Sequence, residues 1–128
     1  MVNLEMAVML VDDVAPVRRT IRGVLQQIGF KNIDDSADAP TALAKMRDRS
    51  FGLVISDWNM EPLSGLDFLK AVRADDQLKD TPFIMVTALG GEQNVLAAKE
   101  AGVNGYIVKP FNASTLKKKI EGVLGAFA

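Results

Sequence analysis

The sequence predicts an α/β fold in which a five-stranded parallel sheet carries helices on both faces. Three observations lead there. Short, nearly continuous apolar runs recur along the chain, as strands covered on both sides require. The longer segments between them repeat apolar residues at helical spacing. Runs and segments alternate as five βα units, the order that gives a parallel sheet with right-handed crossovers.

Taken in order, the first strand is AVMLV, residues 7–11. The helix after it places Val17, Ile21, Val24, Leu25 and Ile28 on one face, with Pro16 suited to its first turn. A weaker, more polar strand is expected at NIDDS (32–36), followed by a helix from Ala39 to Met46. The third strand is FGLVIS (51–56). Ser64 and Asp67 resemble a capping box opening the next helix, which runs through Leu66, Leu69 and Val72. PFIMVT (82–87) is the fourth strand, and the helix from Asn94 to Ala101 stops at Gly102. GYIVKP (105–110) is the fifth. An Asn112 cap then starts a helix with the stripe Leu116, Ile120, Val123, Leu124 and Phe127. No long linker, low-complexity tract or sequence repeat interrupts this rhythm, so residues 1–128 are expected to form one domain.

Composition narrows the chemistry. Of 128 residues, 48% are hydrophobic and 24% charged, which suits a globular chain with a core of ordinary size. A net charge of -1 gives no electrostatic case for nucleic acid or an anionic membrane as partner. Without cysteine there are no disulfides, thiolate metal sites or thiol nucleophiles. Without histidine there is no Ser-His triad, imidazole base, histidine metal site or phosphohistidine carrier. The early apolar run Met6 to Val11 is too short to span a membrane and lacks a signal peptide's layout. A cytoplasmic location is expected.

The candidate site is a matter of strand ends. In open α/β sheets, ligands bind beyond the C-terminal ends of the strands. If the strands are parallel, Asp12-Asp13, Asp57, Thr87 and Lys109 share that edge. Adjacent acids alone carry little weight, because Asp34-Asp35 and Asp75-Asp76 also occur and read as solvated surface. Asp12-Asp13 differs in following a core strand and in its expected meeting with Asp57. Three carboxylates together need a cation, and oxygen donors alone favour Mg²⁺ or Mn²⁺. Asp13 has a plainer reading as cap of the first helix, compatible with metal binding. A carboxylate beside such a metal is a plausible nucleophile for phosphoryl transfer, which would make Asp57 an aspartyl phosphate; its commoner use is as a turn residue. Lys109 adds a fixed cation and Thr87 a hydroxyl donor. Alone, they read as a surface lysine and β-branched filler.

The segments LVDD, SDWNM, VTA and KPF, in this order and spacing, resemble the receiver domain of two-component response regulators. The likeness covers essentially the whole chain and is closest to the single-domain chemotaxis regulators of the CheY type. It implies the flavodoxin-like strand order 2-1-3-4-5, which CheY itself exemplifies. It further implies that Asp57 accepts a phosphoryl group from a histidine kinase or phosphotransfer protein. Asp13, Asp57 and the backbone carbonyl of Asn59 would bind Mg²⁺ directly, and Asp12 through a water. Lys109, Thr87 and the Ala88 amide would hold the phosphoryl group. Tyr106 would be the switch aromatic that moves with Thr87, and Lys109-Pro110 the family's cis peptide. The output face would surround the fourth helix, fifth strand and fifth helix, meeting a downstream protein such as a flagellar motor switch component, and a phosphatase would reset it. Lys117, Lys118 and Lys119 border that face as solvated charges able to steer an acidic partner. A monomer is expected, and no enzyme beyond its own phosphorylation and slow dephosphorylation.

Two segments depart from the chemotaxis pattern. Glu61-Pro62 replaces a proline directly after the methionine, which sets another acid near the metal loop. Leu89-Gly90-Gly91-Glu92 stands where charged residues are usual, with two glycines making the loop permissive. Other functions fit less well. A haloacid-dehalogenase-type phosphatase would carry its nucleophile in a DxD pattern after the first strand, and here the nucleophile follows the third. A flavodoxin-like FMN binder needs a hydroxyl- and glycine-rich phosphate loop where this chain has two aspartates. A phosphate sink or adaptor in a non-chemotaxis phosphorelay is the nearest alternative.

Overall fold

The structure is a computed structural model and describes residues 2–88 and 90–125. Ten elements alternate: β1 (Ala7–Val11), α1 (Ala15–Ile28), β2 (Asn32–Ser36), α2 (Ala39–Asp48), β3 (Leu53–Ser56), α3 (Gly65–Ala74), β4 (Phe83–Thr87), α4 (Glu92–Glu100), β5 (Gly105–Val108) and α5 (Ala113–Leu124). The five strands are parallel, in the order β2-β1-β3-β4-β5. This is the order that the resemblance implies.

Period-two alternation divides each central strand between two apolar layers. Met9 and Val11 of β1 join Val54, Phe83 and Met85 under α2 and α3, where Phe68 meets Phe83 edge-on at 5.3 Å. Val8 and Leu10 join Leu53, Ile55, Ile84 and Val86 under α1 and α5. Only β2, at one border, is polar, and its acids are engaged. Asp34 pairs with Lys45 at 3.0 Å and Arg49 at 3.4 Å, and Asp35 with Arg22 at 3.1 Å. Asp75 likewise pairs with Arg47 at 3.0 Å. Asp34, Asp35 and Asp75 are therefore ion-paired, not simply solvated as expected, while Asp76 is exposed.

Element edges shift by a few residues. Two glycines punctuate the ends of α4. Gly91 precedes its first residue, Glu92, at φ +96°, and Gly102 follows it at φ +95°, both in the region that favours glycine. Both Lys109-Pro110 and Glu61-Pro62 are cis, the second unanticipated. Val123 and Leu124 are half-buried as part of the α5 stripe, whereas Phe127 lies outside the described residues, as does Leu89. Lys117 and Lys118 are exposed, but the Lys119 stem lies on Gly105, where a Cβ would meet its Cγ and Cδ at 3.0 Å. Among the described residues, no helix is long and apolar enough to cross a membrane.

Candidate functional site

The site follows from register. Val11 is aligned with Ser36 on one side and Ser56 on the other, so the residues just past β1 and β3 emerge together. The Asp57 amide continues the ladder by donating to the Val11 carbonyl at 3.0 Å, and the Asp12 amide donates to Ser36 at 3.3 Å. On the far side Thr87 is aligned with Val108, and the Lys109 amide donates to the Thr87 carbonyl at 2.8 Å. Five side chains spread over 97 positions of sequence thus meet at one sheet edge.

At its centre are carboxylates. One oxygen from each of Asp12, Asp13 and Asp57 lies within 4.8 Å of the others. The Lys109 ammonium reaches Asp12 Oδ2 and Asp57 Oδ2, each at 3.4 Å. Those distances are long for hydrogen bonds, so the attraction is mainly Coulombic. Two of the three carboxylates share one ammonium, and the three together form a donor set of oxygens that suits a hard divalent cation. Glu61, exposed on its loop, is outside this cluster.

The three acids differ in environment. Asp12 is 1% exposed, Asp57 has 13% of its side chain exposed, and Asp13 is exposed. Burial pushes the Asp12 carboxyl above its usual range. The Val14 amide and Lys109 pull it back in part, and the Asp57 charge pushes it up again. Asp12 Oδ1 accepts from the Val14 amide at 2.9 Å, and Val14, the N-cap of α1, makes no side-chain cap bond of its own. The capping reading of Asp13 is corrected accordingly: the carboxylate that ties down this turn is Asp12, because it points back under the chain while Asp13 faces out.

Asp57 is held from its own backbone outward. Its Oδ1 accepts from the Trp58 amide at 2.7 Å, and its carbonyl accepts from the buried Ser56 hydroxyl at 2.9 Å. Gly65 crosses directly behind, donating its amide to the Trp58 carbonyl at 2.7 Å. Arg18 closes the other wall, with Nη1 donating to the Asp12 carbonyl at 2.6 Å. Sequence reasoning missed Ser56, Gly65 and Arg18, all of which act on main-chain atoms. A serine before the acceptor and a glycine before α3 were visible, but nothing in the sequence showed which backbone they would touch.

The remaining candidates surround this centre. Thr87 is fully buried at the end of β4, Ala88 is exposed beside it, and Asn59 is exposed on the loop after Asp57. Tyr106 is half-buried, and its ring meets Trp58 edge-on, with centroids 6.4 Å apart and planes at 73°. Burial, and secondarily the Asp57 charge, raise its phenol above the usual range. The plainer reading of Tyr106, an edge residue with its hydroxyl in water, therefore fits only in part.

Comparison with known proteins points the same way. Residues 8–121 match the response regulator receiver domain family. The chemotaxis protein CheY of Pseudomonas aeruginosa is 44% identical over 118 residues, 92% of this chain and 95% of that one. Chemotaxis protein CheY-3 of Vibrio cholerae serotype O1 is 42% identical over 121 residues, 94% of this chain and 93% of that one. Among solved structures, Vibrio cholerae CheY4 superposes with a TM-score of 0.86 at 38% identity, covering 94% of this chain and 99% of its own. A CheX-CheY-BeF3-Mg²⁺ complex from Borrelia burgdorferi gives the same TM-score of 0.86 at 28% identity, covering 92% and 88%.

Proposed function

The chain belongs to the response regulator receiver domain family, and from that premise we propose that it is a CheY-type signalling switch phosphorylated on Asp57. The observation that carries the reading is the Asp57 carboxylate clustered with Asp12 and Asp13 at a sheet edge, with the Lys109 ammonium 3.4 Å from both Asp57 and Asp12. A carboxylate oxygen attacks phosphorus, the bond from phosphorus to the donor breaks, and the donor leaves with that electron pair. Asp57 is aligned by the Trp58 amide and the Ser56-Gly65 backbone contacts, which reduce the cost of orienting the nucleophile. Lys109 lies where it can move from the carboxylates to the arriving phosphoryl oxygens. Thr87 and the Ala88 amide are the donors on the opposite side.

The cluster of Asp12, Asp13 and Asp57 oxygens fits Mg²⁺; Asp13, Asp57 and the Asn59 carbonyl would hold it directly, and Asp12 through a water. When bound, it supplies charge neutralisation for the transferring group. Phosphorylation then shifts the Thr87 and Tyr106 positions and changes affinity for a downstream protein. Chemotaxis is the favoured pathway because the relatives at 42% and 44% identity are chemotaxis proteins. The donor is a histidine kinase, the output partner a protein of the flagellar motor switch class, and a phosphatase resets the switch. The protein acts as a cytoplasmic monomer and turns over no separate substrate.

The test is direct. With Mg²⁺ and acetyl phosphate, intact-mass spectrometry is expected to show one added phosphoryl group, located on Asp57, and the emission of Trp58, the single tryptophan, is expected to change. Asp57→Ala should abolish both responses to the phosphodonor. Asp13→Ala should greatly weaken the emission change caused by Mg²⁺ alone. No label on Asp57 under these conditions would sink the reading.

A further inference from the structure

The outer wall of the site is an aromatic pair that the phosphoryl-transfer chemistry does not use. Trp58 and Tyr106 are the only tryptophan and tyrosine in the chain. They belong to different parts of the fold, the loop after β3 and the middle of β5, yet both pack on the same apolar layer beside Leu63, Ala101 and Val103. Their rings meet edge-to-face at 6.4 Å and 73°. The ring quadrupoles make such a contact sensitive to angle as well as distance, so displacing one ring changes the preferred place of the other.

Trp58 also touches the reacting group. Its amide donates to Asp57 Oδ1 at 2.7 Å, a charge-assisted bond to a carboxylate. Phosphorylation turns that carboxylate into a mixed anhydride and moves the negative charge outward onto the phosphoryl oxygens. The oxygen facing Trp58 becomes a weaker acceptor, and the peptide carrying the indole loses part of its restraint. One residue therefore bonds to the acceptor through its backbone and to Tyr106 through its side chain.

We propose that Trp58 is a positioning residue for Tyr106: its indole fixes the resting rotamer of the phenol and makes that rotamer respond to the phosphorylation state of Asp57. The inference rests on the phosphorylation proposed above and adds a physical route from the acceptor to β5. It runs in parallel with the displacement of Thr87. Removing the indole should disconnect Tyr106 from the phosphorylation state of Asp57.

With one tyrosine in the chain, meta-fluorotyrosine gives a single fluorine resonance that reports Tyr106. The full chain is compared with Trp58→Leu and Trp58→Phe, in Mg²⁺ with and without acetyl phosphate. Mass spectrometry follows phosphorylation, and far-ultraviolet circular dichroism follows folding. In the parent, phosphorylation is expected to shift the resonance. Trp58→Leu should move the resting resonance and lose more than half of the phosphorylation-induced shift, compared at equal fractions of phosphorylated Asp57. Trp58→Phe, which keeps a ring edge, should retain most of it. A folded, fully labelled Trp58→Leu protein with the whole parental shift would overturn the proposal. Should that variant fail to fold, the reciprocal measurement decides. Tyr106→Leu is expected to change the phosphorylation response of Trp58 emission, and an unaltered response counts against the coupling. Unlabelled Asp57 in the parent would instead refute the phosphorylation reading itself.

Discussion

The Asp12 carboxylate is withdrawn from water beside a second carboxylate, with a shared lysine and one backbone amide as partners. Its folded pKa lies above the unfolded one. The stability linked to this group is therefore fully present below the ordinary value of 3.8 and lost as pH rises through the folded value. At neutral pH the ionised acid costs stability, which a bound cation would recover. Residue identity made Asp12 and Asp13 conspicuous in the sequence, but which of them is buried depends on the direction the chain takes after β1. The same holds behind Asp57. A Cβ at Gly65 would lie 2.8 Å from Trp58 Cα and 2.9 Å from the Asp57 carbonyl carbon, and closer still to the Asp57 carbonyl oxygen. Gly65→Ala is expected to cost about 1–3 kcal/mol by overpacking and to slow phosphorylation by displacing the acceptor backbone. Urea denaturation and single-turnover labelling with acetyl phosphate would check both, and a variant with parental stability and rate would contradict the contact.

At the scale of elements, the helices differ in how their first turns are satisfied. Asp38, Ser64 and Asn112 each accept the amide three residues on, at 2.8, 3.1 and 2.9 Å, so α2, α3 and α5 start on a side-chain cap. Ser64 and Asn112 were legible as caps from sequence because each precedes an apolar stripe. α4 has no such bond. It begins after Gly91 at φ +96°, and Ala98 is its only buried residue, so little apolar contact secures it. Its start was read two residues late, at Asn94, because a glycine in the left-handed region gives no positive signal. Instead Asn94 donates its side-chain amide back to the Gly90 carbonyl at 2.9 Å. Hydrogen exchange followed by mass spectrometry should find α4 amides exchanging faster than those of α3 and α5. Equal protection in the three helices would show that tertiary contacts secure α4 after all.

Across the whole molecule, polar ties join segments that the sequence keeps far apart. The Arg73 guanidinium donates to the carbonyls of Gly102, Lys79 and Thr81 at 2.7–3.0 Å and to Asn104 Oδ1 at 2.8 Å. Asn104 Oδ1 also accepts from the Phe83 amide at 2.8 Å, so one arginine ties the end of α3 to the connections that lead into β4 and β5. On the polar border strand, partial burial raises the Asp34 carboxyl, but Lys45 and then Arg49 outweigh it and hold it below its ordinary value of 3.8. Stability from this group is therefore present above 3.8 and lost as pH falls through the lower, folded value. Asp34→Asn should flatten the acid limb of the stability curve below that pH and cost under about 1 kcal/mol at neutral pH, since these pairs are partly exposed and screened. Denaturant titrations on both sides of 3.8 would measure it, and an unchanged acid limb would show that the pairs contribute nothing.

The sequence by itself determined the alternation of strands and helices, the apolar layers and the identity of Asp12, Asp13, Asp57, Thr87 and Lys109, because these follow from periodicity and side-chain chemistry. Only the tertiary structure decided how those groups meet. Register brings Asp57 beside Val11 and Lys109 beside Thr87, and burial separates Asp12 from Asp13. Gly65, Arg18 and Arg73 act on backbone atoms supplied by distant or folded-back segments, and Ser56 on the carbonyl of the next residue. Every residue offers the same backbone groups, so a sequence carries no local mark of which carbonyl a side chain will find. That choice is fixed when the sheet closes its register.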